Sequence, residues 1–443
     1  MVPSSRVPRR AEFKAGSAEA KEKRPFKFGD PLEYRVLRLY LHMGFFTRRG
    51  RELYTVGRLD TATDLDVLAI RYSEPFSREV RIAECKSGGG EGPLDRIFWL
   101  SGVKGYVAAD CATLIRPATK WNIKDFAAEV GVELFDLPHV DELERSLGID
   151  LSLWLGNSDR AFFLSHADEW NGALLRDANL KEIFQTLSGE VRFHEPFGGI
   201  NFLLHQLRAL TRELKERRFT SESLTKFLLS ECVAQLSMFL MKVAESTFGL
   251  SPGDRAAFIE KGMTYGHLDK NLIDRLFRNT KRITTELIKH HTGRDVMVDD
   301  SLFRMPEPPN VTEVQSSVEG LVSRPTIATS FGPITDLLVF EKFVRQREGV
   351  DWLSKIFPYT NLRERVLLVQ DFLKTLRAID AVPDGLLGTR KDSTAEVPGT
   401  ATTEAKKAEP PETETSVIAP QGTIRTGPNS VTAPLFGAPK KDA

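Results

Sequence analysis

Cysteine is scarce in this chain: only Cys85, Cys111 and Cys232 occur, far apart and without paired spacing. That excludes a disulfide framework and a zinc ribbon, and a reducing, cytoplasmic setting is the expectation. Charge of one sign is also lacking, with 61 Lys and Arg against 61 Asp and Glu in 443 residues. A polyanion partner would therefore need a local basic patch rather than the field of the whole molecule. Long apolar runs are missing as well. The most apolar helical stretch, Phe227 to Val243, is broken by Glu231, Gln235 and Lys242, and falls short of the roughly 20 clean apolar residues of a membrane span. Arg6, Arg9, Arg10 and Lys14 near the start are not followed by an apolar segment, so a secretory signal and a membrane partner are not expected. No Gly-Lys-Ser/Thr follows the glycine run at 88 to 92, which rejects a phosphate-binding loop of that type. Nothing repeats at a period of about 20 to 50 residues, which disfavours a solenoid.

What is present divides near residue 150. Residues 1–25 are basic and polar and read as a disordered arm. From 389 to 443 the chain turns to Pro, Thr, Ala, Glu and Lys, the composition of a disordered tail. Residues 26–150 alternate helix and strand patterns. A helix opens at Asp30-Pro31-Leu32-Glu33, with an N-cap, a proline at the first helical position and an acid at the third, and runs to Gly44. Strands follow at about Glu52 to Val56, Asp64 to Tyr72 and Glu79 to Cys85. A helix from Leu94 to about Tyr106, a strand at Ala112 to Ile115, a helix near Trp121 to Val130, a strand at Val132 to Phe135 and a helix from Val140 to Leu147 complete the unit. This order, αβββαβ with an additional αβα stretch, calls for an α/β sheet with helices on both faces. Residues 151–388 are mostly helical, with amphipathic stretches at 202–218, 221–246, 269–291, 336–346 and 362–379. A proline-rich break at Met305 to Pro309 divides that region in the expectation.

The chemistry concentrates in Glu84-Cys85-Lys86. Glu-x-Lys occurs five times, beginning at Glu12, Glu19, Glu84, Glu213 and Glu404, but only Glu84 ends an apolar strand preceded by an acid-bearing one. Side chains alternate along a strand, so Glu84 and Lys86 share a face, as do Asp64 and Asp66. If the two strands form a hairpin, Asp66, Glu84 and Lys86 converge. Mg²⁺ needs few protein ligands and hard oxygens, which Asp66, Glu84 and the main-chain carbonyl of Cys85 offer. A bound metal would acidify a water and neutralise phosphate charge, while Lys86 would orient or deprotonate that water or stabilise the oxyanion. The competing reading pairs Asp66 and Glu84 with Arg71, Arg81 or Lys86 as ordinary strand-end charges. Yet Asp66 lies within an apolar run, where an unpaired carboxylate would cost several kcal/mol.

These pieces together resemble the PD-(D/E)xK superfamily of restriction endonuclease-like nucleases, in its Mrr-like and Holliday-junction-resolvase-like branch. The matching residues are Glu33 ahead of Gly44-Phe45-Phe46, Asp66 in Asp-Val-Leu-Ala, Glu84-Cys85-Lys86, and the segment from Ala112 to Phe135. No proline precedes Asp66. The resemblance covers about a quarter to a third of the chain. It implies metal-dependent endonuclease activity on nucleic acid, foremost double-stranded DNA, in restriction, phage defence or repair. Asp66 and Glu84 would be metal ligands for Mg²⁺, with Mn²⁺ able to substitute, and Lys86 the catalytic lysine. Glu33 would approach the metal through water, although Asp30-x-x-Glu33 is equally a capping box. Asp64 is either a second acid near the metal or a turn-exposed carboxylate. A paired cut of duplex DNA would need a homodimer or two successive nicks, and no dimer seam is legible. The alternative is a non-catalytic nucleic-acid-binding or interaction protein that uses the same fold as a scaffold. Basic positions at Arg208, Arg212, Lys215, Arg217 and Arg218, and at Arg275, Arg278, Lys281, Arg282 and Lys289, are candidates for phosphate contact or plain solvated faces.

Overall fold

Asp30 caps the first helix of the sheet region. Its carboxylate accepts from the Leu32 N–H at 2.9 Å while Glu33 accepts from the Asp30 N–H at 3.0 Å. This reciprocal cap, with Pro31 in the first turn, opens helix α1 (Pro31–His42) where the sequence predicts it. The computed structural model describes residues 29–54, 61–88, 92–189, 195–266, 268–303, 305 and 308–387. The arm expected over 1–25, the tail expected from 389, Val56 of the first predicted strand and 89–91 of the glycine loop lie outside the described residues.

After α1 come β1 (Phe46–Tyr54), β2 (Thr61–Ser73), β3 (Ser77–Cys85), α2 (Pro93–Tyr106), β4 (Cys111–Arg116), α3 (Trp121–Glu129), β5 (Glu133–Asp136) and α4 (Leu137–Ser146). The five strands form one sheet in the order β1-β2-β3-β4-β5. β1, β2 and β3 are antiparallel neighbours, whereas β3, β4 and β5 run parallel. The helices cover both faces. In register, Ala83 lies beside Thr113 and Glu84 beside Leu114. Thr113 meets Tyr40 of α1 at 3.2 Å, while Glu84 meets Arg96 of α2 at 3.5 Å. Adjacent residues of a strand point to opposite faces, so α1 and α2 sit on opposite sides. α4 joins α1 through Arg35 and Arg38, both bound to Glu144.

The rest is helical: α5 (Arg160–Arg176), α6 (Ala178–Ser188), α7 (Pro196–Glu216), α8 (Glu222–Thr247), α9 (Pro252–Tyr265), α10 (Lys270–Thr292), α11 (Val311–Val322), α12 (Pro325–Ala328), α13 (Phe331–Val339), α14 (Trp352–Ile356) and α15 (Leu362–Ala378). α8 is apolar nearly all round and forms the centre of this region. By length and composition it could cross a membrane, but here it is a core helix. The three polar residues that interrupt it are satisfied: Gln235 donates to the Leu187 carbonyl at 3.0 Å, Lys242 binds Glu245 at 3.1 Å, and Glu231 binds arginines of β1. One hydrophobic core continues from Leu32 on α1 to Leu386, through the sheet and the helices alike.

The joint between sheet and helices is ionic as well as apolar. Arg48 on β1 makes two parallel hydrogen bonds to Asp336 of α13, at 2.8 and 2.9 Å, and a third to Glu231 of α8 at 2.9 Å. Arg51 reaches Glu231 at 3.8 Å, and all four side chains are buried. This accounts for a difference from the sequence expectation. β1 begins at Phe46, six residues before the predicted Glu52, because its arginines look like loop residues until distant carboxylates bury them. The predicted helix over 336–346 also differs: α13 starts at Phe331 and passes into a single π turn over Phe340–Val344. The predicted break at Met305–Pro309 lies between α10 and α11, with Pro306 and Glu307 outside the described residues.

Candidate active site

β2 and β3 pair antiparallel with Val67 opposite Ala83, and one step further Asp66 stands across from Glu84. On the other side of β2, Arg49 pairs with Val67 and Arg51 with Leu65, so Gly50 faces Asp66. Its φ of +61° is a conformation that glycine adopts without the strain a side chain would bring. Beyond the last residues of β3 paired with β2, the Cys85 N–H donates to the Asp66 carboxylate at 2.7 Å. Lys86 Nζ lies 2.7 Å from Glu84 Oε1, and Arg96 Nη1 lies 3.5 Å from the same oxygen. The hairpin therefore brings Asp66, Glu84 and Lys86 together as the alternation of side chains predicts.

The competing partners are engaged elsewhere. Arg71 and Arg81 both bind Glu79, and Arg81 also approaches Glu133 at 3.7 Å. Lys86 alone of the three sequence-predicted cations serves the acids, joined by Arg96, which the sequence reading did not single out. Electrostatics follow from this sparse compensation. Burial, and next the Asp66 charge, push the Glu84 carboxyl up to about 7, against the pull of Lys86 and Arg96. Burial also raises Asp66, opposed by the Cys85 N–H and Lys86. Burial works against the Lys86 ammonium, but its contact with Glu84 outweighs this and raises its pKa.

Glu33 completes the α1 cap, as one of its two expected roles requires, and accepts from Arg49 at 3.3 Å. Burial raises its carboxyl, and the Asp66 charge adds to that rise. Asp64 is exposed, two residues back on β2, and its charge also raises Asp66. Cys85 points to the opposite face, where its thiol is buried and pushed up. On α2, Phe98 is 59% exposed and edge-on to Phe126, whereas Trp99 beside it is half-buried.

A cleft of about 390 Å³ opens beside the acids, lined by Asp30, Cys85, Lys86, Ser87, Arg96 and Arg116. Ser87 donates to Asp30 across its floor, which ties the start of the glycine loop to the α1 cap. Arg116 ends β4, one residue past the Ile115 that pairs with Cys85. Its position was readable in principle, because ligands gather at the carboxyl ends of parallel strands in α/β sheets. Its role was not, since a single arginine at a strand end carries no pattern.

Among the described residues, no group of three or more His, Cys, Asp or Glu side chains converges to hold a metal ion. A cation here would rest on Asp66, Glu84, the Cys85 carbonyl and water, an all-oxygen set that fits Mg²⁺ better than a softer metal. The raised pKa of Glu84 is the observation that favours such a cation: a buried carboxyl beside the charge of the half-buried Asp66 is short of positive charge. Of the two basic sets, Arg208 is bound to Asn310 at 2.6 Å and Lys215 to Asp380 at 3.1 Å, so these two hold α7 to the end of the core. Most of the second set lies exposed on α10. Comparison with protein-family models, curated proteins and solved structures found no match to the chain.

Proposed function

We propose that the protein is a metal-dependent nuclease that hydrolyses nucleic-acid phosphodiesters, with double-stranded DNA as the leading substrate. The observation that carries this reading is the half-buried Asp66 set across from the buried Glu84, with Lys86 on Glu84 and a cleft bearing Arg96 and Arg116 alongside. The resemblance of the αβββαβ order and of Asp66, Glu84 and Lys86 to PD-(D/E)xK nucleases supports it. A bound Mg²⁺ would supply an activated water and neutralise charge on the scissile phosphate. The chain's own residues do the remainder. Asp66, held by the Cys85 N–H, and Glu84 would anchor the cation with the Cys85 carbonyl. Lys86, arriving charged through its contact with Glu84, would stabilise the oxyanion that forms at phosphorus. Arg96 and Arg116 would hold the phosphodiester backbone in the cleft.

The test is cleavage of plasmid, linear duplex, single-stranded DNA and RNA in Mg²⁺ or Mn²⁺, with Asp66→Ala and Lys86→Ala in parallel. Cleavage that requires the cation and disappears in both variants supports the reading. Cleavage that survives in both variants rejects these residues. Absence of cleavage on every substrate, with cation binding also absent by calorimetry, leaves the non-catalytic scaffold as the better account.

A further inference from the structure

Helix α10 carries an apolar stripe that nothing among the described residues covers. It spans 23 residues, is capped by Asp269 and by Gly293 in the left-handed conformation, and buries none of its side chains. Leu272, Leu276, Ile283 and Leu287 are 44, 52, 50 and 55% exposed. At about 100° per residue these four fall within an arc of roughly 60° along one side of the helix. A single exposed leucine is ordinary, but a stripe of four on one helix marks a surface made for contact.

We propose that the occupant is a second copy of this chain, with the two α10 helices packed antiparallel about a two-fold axis between Asn279 and Thr280. The stripe reads the same in both directions about that point. In one register, Leu272 meets Leu287 of the second copy and Leu276 meets its Ile283, so all four exposed side chains are covered at once. A two-fold contact demands this self-complementarity. Charge agrees with the same register. In antiparallel packing each flank of the seam meets its own counterpart. Arg275 and Glu286 share a flank, and each Glu286 lands within about one helical turn of Arg275 on the other copy. Within its own helix Glu286 lies only 3.9 Å from Arg282, so it would bridge two cations across the seam.

An anionic lipid surface is the rival occupant. It favours basic residues along the rims of the apolar arc. Here the cations Arg275, Arg282 and Lys289 all lie on one rim, together with Glu286, and the other rim carries Ile273, Thr280 and Thr284 without a Lys or Arg. The apolar area covered over both copies is roughly 600 Å², below that of a standard permanent interface, so a weak and concentration-dependent dimer is expected. This inference stands apart from the nuclease reading.

Sedimentation equilibrium of the full chain across a hundredfold concentration range tests it. The expected mass rises from 49.7 kDa toward twice that value. Leu276→Glu with Ile283→Glu should keep the protein monomeric with an unchanged melting temperature. Arg275→Glu should weaken association at least tenfold, and adding Glu286→Arg should restore it. A monomer throughout, a dimer indifferent to the double glutamate variant, or a charge reversal without rescue would each overturn the proposal. So would a monomer that binds phosphatidylserine vesicles and loses that binding in the Leu276→Glu, Ile283→Glu variant, which would assign the stripe to lipid.

Discussion

Two pairs of carboxylates adjoin strands β1 to β3, and they are placed differently. Glu231 and Asp336 face Arg48 and Arg51, two acids for two guanidiniums, with Arg48 bidentate on Asp336 and Asn157 closing on Glu231 at 3.1 Å. Asp66 and Glu84 face Lys86, in contact with Glu84, and Arg96, 3.5 Å from the same carboxylate. The first cluster is walled in between sheet and helices, whereas the second adjoins an open cleft. Burial opposes the Arg48 charge, yet Asp336 and Glu231 more than offset it and raise its pKa. At the cleft, burial and the Asp66 charge raise Glu84 to about 7. In the walled cluster burial likewise raises Asp336 and lowers Arg51 to about 10. What separates the two is access. Charge walled in between sheet and helices holds the fold together, whereas acids beside an opening leave a place for an added cation, and that distinction carries the assignment of the site.

The sharpest way to break the comparison is to unmatch the first cluster. Arg48→Ala leaves Asp336 and Glu231 with only Arg51 between them, and removing one partner of a buried pair costs about 3–5 kcal/mol. Chemical denaturation should show that loss, while the rate of cleavage per folded molecule stays at its original value. A fall in rate at constant folded fraction would mean that β1 tunes the site and that the two clusters are not separate. Next in size is Lys86→Ala, which should lower cleavage about 10²–10³-fold, or roughly 2.7–4 kcal/mol in the barrier, by analogy with the loss of one preorganised charge donor. Its thermal stability is the contrast with Arg48→Ala: Lys86 is partly exposed, so the melting temperature should change little.

The third prediction follows from Glu84 itself. An unfolded chain loses the glutamate proton near 4.5, and the folded chain keeps it to about 7. Between those values the metal-free folded state binds the extra proton, so stability falls as pH rises through the window and is fully retained below it. The total is about 3 kcal/mol at the usual conversion of 1.36 kcal/mol per pKa step. Glu84→Gln should flatten this dependence, stabilising the metal-free protein at pH 8 and leaving it unchanged at pH 4. Mg²⁺ should raise the melting temperature of the natural protein at pH 8 and not that of Glu84→Gln. Equal pH profiles for both proteins would show that Asp66 and Glu84 are already compensated, and the contrast between the clusters would collapse.

The site was legible in the sequence to the extent that its determinants are local. Glu84, Lys86 and Asp66 obey the two-residue alternation of neighbouring strands, and Asp30 with Glu33 obey the spacing of a helix cap. The sheet's other edge was not legible. Arg48 and Arg51 interrupt the strand pattern of β1, and what buries them lies 183 and 288 positions away. Glu231 was visible only as a flaw in an apolar helix, and its meaning depended on β1. Arg96 and Arg116 were missed for a related reason: one comes from a helix and one from a parallel strand end, and only the folded sheet sets them around Lys86. The stripe on α10 was read as a basic helix because its cations are numerous, whereas its apolar side becomes informative only once none of the described elements is seen to cover it.

Glu33 gives the smallest effect and the finest division, because it belongs to both structural and chemical arguments. Its Oε1 accepts the Asp30 N–H that starts α1, Oε2 meets Arg49, and burial keeps its carboxyl raised, helped by the charge of Asp66. Glu33→Gln retains an oxygen for the cap, since glutamine serves at that position of a capping box. It removes the charge near Asp66. A residue that acts only as a cap should therefore show a stability change within about 0.5 kcal/mol and no change in Mg²⁺ dependence. A residue that helps hold the cation through water should show the same small stability change, with a several-fold rise in the Mg²⁺ concentration needed for half-maximal cleavage. Glu33→Ala loses the cap as well, at about 1 kcal/mol, so the pair of variants separates the two roles. If only the alanine variant has an effect, the acid ahead of β1 belongs with Arg48 and Asp336 as structure, and the chemistry narrows to the strand-borne residues Asp66, Glu84 and Lys86.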